Sequence, residues 1–138
     1  MCRILIVDDV EGRFDQWARL VHRASDRFEF DFAGDKTQAE NLIKEAAQID
    51  CPFEIVLSDI CLGVSKQANA TEGLLVLAEA KHQNPNCFTI LIVWKSDWTA
   101  SRLSVDRFVS PYYTNQDYET QIVEAMRDAA GLMGYNNS

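Results

Sequence analysis

Five short apolar runs alternate along the chain with longer segments of helical periodicity. The runs predict strands at RILIV (3–7), FEFDFAG (28–34), FEIVLSD (53–59), FTILIVW (88–94) and RFVSP (107–111). The first and fourth runs are uninterrupted and rich in β-branched residues, which is typical of strands covered on both faces. FEFDFAG alternates apolar and acidic residues, which predicts a strand near a sheet edge. FTILIVW is the most apolar run and is expected in the sheet interior.

The segments between these runs predict helices. Apolar residues recur at helical spacing from Glu11 to about Ala24, over 37–48, from near Thr71 to the NPN sequence, and from Asn115 or Gln116 to about Met133. Thr37 and Glu40 predict a capping box at the start of the second helix. Between the fourth and fifth strands, residues 97–105 leave room for about two helical turns. The helix there is expected to be shortened or unwound.

This alternation predicts an α/β domain, a doubly wound parallel sheet with right-handed crossovers and helices on both faces. Functional sites in such sheets lie beyond the carboxyl ends of the strands, where the strand order reverses. The loops after Val7, Ser58, Trp94 and Ser110 should therefore surround one crevice. The length of 138 residues, with 47% hydrophobic content, suits one domain, which we expect to span 1–133 with 134–138 as a tail.

The composition excludes several classes of function. The chain carries 21 acidic and 13 basic residues, a formal charge of −8, so nucleic-acid binding is not expected. The chain shows no secretory leader pattern and no apolar run of about 20 residues, which favours a cytoplasmic protein that does not enter membranes. Cys2, Cys51, Cys61 and Cys87 are far apart and form no CxxC motif, so buried reduced thiols are expected rather than a zinc or redox site.

The basic residues are unevenly distributed, since the first fifth of the chain contains Arg13, Arg19, Arg23 and Arg27. Two interpretations stay open for them. They form either a solvated helix face or a surface that docks a partner.

Three carboxylates follow strands in a pattern that indicates chemistry. Asp8 and Asp9 end the first strand and Asp59 ends the third, so adjacent central strands would bring all three to one rim of the sheet. Their mutual repulsion requires a cation. Mg²⁺ fits, because it takes one or two carboxylates, a backbone carbonyl and waters. The alternative is that an aspartate of the first pair caps the helix predicted from Glu11.

The ordered set ILIVDD, IVLSDI and FVSPYYT, in an alternating chain of this length, resembles the receiver domain of two-component response regulators. The resemblance implies a flavodoxin-like, five-stranded parallel sheet in the order 2-1-3-4-5. It implies that Asp59 is the phosphoacceptor and that Mg²⁺ is held by Asp8, Asp9, Asp59 and the carbonyl of Cys61. The implied partners are a histidine kinase or histidine phosphotransfer protein and a downstream effector protein.

The chain departs from the family pattern near the predicted site. Trp94 stands where receivers carry Thr or Ser, although a bulge would bring Ser96 to that position. Ser110 replaces the lysine before the strand-five proline. Lys95 either supplies the missing charge or is an ordinary loop lysine. Gly63 stands in place of the usual proline after the acceptor, and the segment from Asp59 to the next helix is longer than usual.

These features leave two main hypotheses. In the first, the chain is a stand-alone receiver, a phosphoacceptor rather than an enzyme acting on other substrates. In the second, it is a pseudo-receiver that binds a protein without phosphorylation. A Mg²⁺-dependent phosphatase is less well supported, because such an enzyme would need Asp-x-Asp after the first strand and this chain has VDDV.

Overall fold

The computed structural model describes residues 2–10, 12–59, 72–92, 105–109 and 117–134. These ranges contain five strands and four helices. In chain order they are β1 (Cys2–Val7), α1 (Phe14–Ala24), β2 (Phe28–Ala33), α2 (Lys36–Gln48), β3 (Ile55–Asp59), α3 (Glu72–Gln83), β4 (Phe88–Ile92), β5 (Arg107–Val109) and α4 (Tyr118–Leu132). The shortened helix predicted at 97–105 lies almost wholly outside the described residues.

The strands form one parallel sheet in the order β2-β1-β3-β4-β5. This order confirms the predicted doubly wound, flavodoxin-like topology. It also confirms β2 at an edge, β4 in the interior, and β1 beside β3 at the centre. In the register of the central strands, Ile4 lies opposite Ile55 and Val7 lies opposite Ser58. The topological switch point, where the strand order reverses, therefore lies between the carboxyl ends of β1 and β3.

The sheet separates two hydrophobic layers. Alternate residues of the strands, such as Ile4 and Leu57, pack with α1 and α4 on what we call the α1/α4 face. The intervening residues, such as Leu5 and Leu91, pack with α2 and α3 on the α2/α3 face. Because side chains alternate along a strand, each strand position assigns its residue to one of these layers.

The helix starts differ from the sequence predictions. α1 begins at Phe14 rather than Glu11, and its N-cap is Arg13, which makes no side-chain capping bond. The alternative in which Asp8 or Asp9 caps this helix is therefore wrong. In α2 the cap is Asp35, whose Oδ1 accepts a hydrogen bond of 2.7 Å from the Gln38 amide. The predicted Thr37–Glu40 capping box is wrong, because Thr37 lies inside the helix.

The cysteine prediction is right in two of three described positions. Cys2 and Cys87 are buried thiols, whereas Cys51 is exposed. Cys51 follows the C-terminus of α2, where its amide donates to the Ala46 carbonyl, and this loop lies at the surface. Across the described residues, no helix is both long and apolar enough to cross a membrane.

The start of β5 is fixed by a polar cluster. Asp106 Oδ2 accepts hydrogen bonds from the Thr89 amide at 2.8 Å and the Thr89 hydroxyl at 3.1 Å. Lys81 Nζ lies 2.8 Å from the same oxygen. Partial burial acts in the opposite direction, but the Lys81 and Thr89 hydrogen bonds prevail and lower the pKa of Asp106. One carboxylate thus ties β5 to β4 and α3.

Candidate functional site at the acidic edge

Asp8, Asp9 and Asp59 lie at the carboxyl ends of the two central strands, and we call these three residues the acidic edge. The Asp8 amide donates to the Ala33 carbonyl at 3.0 Å, so the backbone continues the β1 ladder through this residue. The β1–β3 register, continued by one residue, places Asp8 opposite Asp59. Both positions have the parity of the α1/α4 face, and neighbouring strands lie about 4.8 Å apart. Asp8 and Asp59 therefore meet on one face of the sheet.

Asp8 is a buried carboxylate with 2% of its surface exposed. Three donors within the described residues satisfy it. Its Oδ1 accepts from the Val10 amide at 3.0 Å, and its Oδ2 accepts from Trp17 Nε1 at 2.8 Å and from Arg13 Nη1 at 3.3 Å. Burying a carboxylate costs free energy unless it is hydrogen-bonded, and these three donors offset that cost.

Arg13 reaches Asp8 because the chain turns sharply between β1 and α1. Gly12 has φ of +80°, in the left-handed region that glycine adopts without steric cost. This turn places Arg13 at the N-cap of α1 with its side chain directed back to Asp8. Trp17 lies one helical turn further on, so both donors come from one side of the helix.

Tyr118, the first residue of α4, lies in the same electrostatic environment. Its ring packs against the hydrophobic layer of the α1/α4 face. Burial is the main cause that raises the pKa of its phenol, and the negative charges of Asp8 and Asp59 raise it further, while Arg13 lowers it. The phenol is therefore neutral at physiological pH.

A cavity of about 250 Å³ opens beside the acidic edge, between the turn after β1 and the end of β2. Asp8, Asp9 and Arg13 line one side of this cavity. Phe14 lies at its rim, where it stacks on Phe30 with ring centroids 5.5 Å apart and is 53% exposed. A polar wall and an aromatic wall thus border the same space.

The described residues include part of the predicted site. Asp8, Asp9 and Asp59 are described, whereas Cys61, Lys95 and Ser96 lie outside the described residues, as do Trp94 and Ser110. The predicted roles of those five residues stay predictions. The same holds for the complete Mg²⁺ ligand set.

Three residues around Asp8 were not predicted as parts of the site. Trp17 belongs to the apolar periodicity that predicts the first helix, Arg13 belongs to the arginine series with its two open interpretations, and no sequence pattern marks Tyr118. Asp8, Arg13 and Trp17 follow one another at intervals of five and four residues. With a glycine turn between them, such spacing could have indicated that the helix returns its polar groups to the end of the strand.

The oxygen donors of the acidic edge fit the chemistry of Mg²⁺. In the described ranges no group of three or more His, Cys, Asp or Glu side chains is placed to hold a metal ion. Mg²⁺ commonly uses one or two carboxylates and completes its shell with waters. In this structure both carboxylate oxygens of Asp8 accept protein donors, so the predicted role of Asp8 as a ligand stays a prediction together with those of Asp9, Asp59 and Cys61.

Comparison with known proteins places this geometry in a structural class. No protein-family model and no curated protein matches the chain. Among solved structures, a response regulator receiver protein from Sinorhizobium medicae WSM419 is similar with a TM-score of 0.71 at 17% identity, over 94% of each chain. A CheY-like receiver domain from Methanospirillum hungatei JF-1 has a TM-score of 0.62 at 21% identity, over 96% of this chain and 98% of that one.

The chain has the receiver-domain fold. The chemotaxis protein CheY4 of Vibrio cholerae adds a third likeness, with a TM-score of 0.66 at 12% identity, over 94% of this chain and 98% of that one. In this chain, the acidic edge lies at the neighbouring carboxyl ends of β1 and β3.

Proposed function

We propose that the chain is an atypical receiver that accepts a phosphoryl group on Asp59 and signals through a partner protein. The donor would be a phosphohistidine of a histidine kinase or a histidine phosphotransfer protein. The observation that carries this proposal is the β1–β3 register, in which Val7 lies opposite Ser58, so the next residues, Asp8 and Asp59, stand at the carboxyl edge of the two central strands. The receiver fold and the acid pair after β1 support it further.

The proposed reaction is a direct transfer between two residues. A carboxylate oxygen of Asp59 attacks phosphorus, so an O–P bond forms while the P–N bond to the imidazole breaks. The imidazole nitrogen retains the electron pair of the broken bond. When bound, Mg²⁺ would supply the positive charge that offsets the charge developing on the transferring group.

The residues around Asp59 have separable roles in this proposal. Asp9 and Asp59 would hold the ion. Asp8 is fixed by Trp17 and by the Val10 amide, and its negative charge would hold the hydrated ion in place. Tyr118 would exclude water from the α1/α4 face, because its ring is packed in that layer.

Phosphorylation from a small donor tests the proposal directly. Wild-type protein incubated with acetyl phosphate and Mg²⁺ should gain the mass of one phosphoryl group, in a bond labile to hydroxylamine as an acyl phosphate is. Asp59→Asn should remain unmodified. Asp31→Asn, an exposed acid of β2, is the matched control and should react like wild type. Equal modification of wild type and Asp59→Asn, or none in either, would overturn the proposal.

The second candidate function is a protein-binding adaptor that needs no phosphorylation. The observation in its favour is the Arg13–Asp8 ion pair at 3.3 Å, because a side chain of the protein itself neutralises an acid that was predicted to require a metal. A complex with a partner that forms equally well with wild type and Asp59→Ala would favour the adaptor. A complex lost in Asp59→Ala would favour the phosphoacceptor.

A further inference from the structure

We propose that Arg13 is a tethered counter-ion of the acidic edge and that it weakens Mg²⁺ binding there by competing electrostatically with the ion. This inference deepens the proposed function, on which it rests for the identity of the ion. In this proposal Arg13, a residue of the turn between β1 and α1, controls how readily the acidic edge binds the metal ion.

The first argument is the contact itself. Arg13 Nη1 lies 3.3 Å from Asp8 Oδ2, and that oxygen also accepts from Trp17 Nε1 at 2.8 Å. Because Asp8 is buried, the attraction between the guanidinium and the carboxylate is screened much less than a surface ion pair would be. The acidic edge therefore already contains a positive charge before any metal arrives.

The second argument is that Arg13 acts on more than Asp8. Burial and the charges of Asp8 and Asp59 raise the pKa of the Tyr118 phenol, and the charge of Arg13 lowers it. A guanidinium 3.3 Å from Asp8 Oδ2, at the end of β1, repels a divalent cation held at the same acidic edge. At an effective dielectric constant near 20, this repulsion should change the Mg²⁺ affinity about tenfold or more.

The third argument is that the Arg13 side chain has space into which it can move when Mg²⁺ binds. Its side chain is 34% exposed, whereas that of Asp8 is 2% exposed. It lines the cavity of about 250 Å³ beside the acidic edge, which also opens to Asp9. The guanidinium can move into this space without unwinding α1, because Arg13 precedes the first residue of the helix and makes no side-chain capping bond.

Mg²⁺ titration of the full chain at constant ionic strength tests the proposal. The reporters are the indole N–H of Trp17, assigned with Trp17→Phe, and the Val10 amide, which both donate to Asp8. Arg13→Gln should bind Mg²⁺ about tenfold more tightly than wild type. Arg13→Lys keeps the charge and should restore an affinity close to that of wild type.

Arg19→Gln is the matched control, because it removes the same charge from an exposed position of the same helix. Its Mg²⁺ affinity should stay within about twofold of wild type, since exposed charges are screened by salt. Equal affinities of Arg13→Gln and wild type would overturn the proposal, as would equal tightening in Arg19→Gln. No response to Mg²⁺ in either wild type or Arg13→Gln would also overturn it.

Thermal unfolding provides a readout that does not depend on phosphorylation. Without Mg²⁺, Arg13→Gln should unfold at a lower temperature than wild type, because the buried Asp8 loses a charged donor. Mg²⁺ should raise the unfolding temperature of Arg13→Gln more than that of wild type. The experiments can overturn the counter-ion role of Arg13 and the phosphoacceptor function independently of each other. Tighter Mg²⁺ binding by Arg13→Gln with no modification of Asp59 would leave the counter-ion role intact and overturn the receiver function.

Discussion

Asp8 is a deeply buried carboxylate, so each of its hydrogen-bond donors should make a measurable contribution to the free energy of unfolding. Hydrogen bonds to a charged partner are worth more than neutral ones, and loss of one leaves part of the desolvation cost uncompensated. The indole of Trp17 makes the shortest of the three contacts described for Asp8. Trp17 is therefore a polar partner as well as a core residue.

Replacement of Trp17 by Phe should destabilise the protein by about 2 kcal/mol. The ring remains, but Asp8 Oδ2 loses its 2.8 Å donor. Urea unfolding of wild type, Trp17→Phe, Asp8→Asn and the double variant would isolate the coupling between the two side chains. Strict additivity of the two single changes would contradict this prediction.

The thiol of Cys87 predicts a loss of stability at alkaline pH. Burial is the main cause that raises its pKa from 9.0 to about 12, with Lys81 acting against the shift and Asp106 adding to it. Because the pKa is higher in the folded state, the unfolded chain releases this proton first. The stabilisation is fully present below pH 9 and is lost as pH rises from 9 towards 12, by at most about 1.4 kcal/mol per pH unit.

Urea unfolding between pH 8 and 10.5 would measure this slope. Cys87→Ala should make it less steep, and the remaining slope should come from Cys2, whose thiol pKa burial also raises. Cys51→Ala, at an exposed thiol, should leave it as in wild type. An identical slope in Cys87→Ala and wild type would show that this thiol does not carry the effect.

The junction between β2 and α2 is held by reciprocal bonds between a cap and the first turn. Asp35 Oδ1 accepts from the Gln38 amide, and Gln38 Oε1 accepts a 2.8 Å bond from the Gly34 amide. Both side chains thus satisfy backbone donors that a helix start leaves without partners. The junction fixes the wall of the cavity that faces Asp9.

Asp35→Ala should lower the free energy of unfolding by about 1 kcal/mol, because it removes the cap acceptor. Asp35→Asn keeps an oxygen acceptor and should lose much less. The comparison in urea separates loss of the cap from loss of charge. Equal destabilisation by both variants would assign the effect to charge instead.

The two hydrophobic layers share one sheet, so neither should persist without the other. Leu57 is fully buried on the α1/α4 face and Leu91 is fully buried on the α2/α3 face. Each lies on a central strand whose alternate residues belong to the opposite layer. Loss of packing on one face therefore weakens the strands that both faces use.

Leu57→Ala and Leu91→Ala should each destabilise the protein by about 3 kcal/mol. In both variants, tryptophan fluorescence and far-UV circular dichroism should report the same unfolding midpoint, because the domain unfolds as one unit. Two separated transitions would mean that the faces unfold independently.

The fold was largely predictable from the sequence, because strand and helix periods are local and the β1, β3 and β4 runs are strongly apolar. The meeting of Asp8 and Asp59 followed from the rule for parallel sheets. The donors to Asp8 were not predictable in this way. Helical periodicity places Trp17 in the core but does not show where its indole nitrogen points. Helix starts were misplaced because Thr37 and Asp35 are both good caps, and tertiary placement chose between them.

The edge strand β2 has a consequence for behaviour at high protein concentration. The exposed acids Glu29 and Asp31 alternate with Phe28, Phe30 and Phe32 along an outer strand whose backbone is open to pairing with another chain. Charged side chains on such a border discourage intermolecular β-sheet growth. Near the isoelectric point the molecule has no net charge to oppose association, while the phenylalanines of this strand are unchanged. Storage at mildly acidic pH, near the isoelectric point of about 4.6, is thus where fibrous aggregation should begin, along this border.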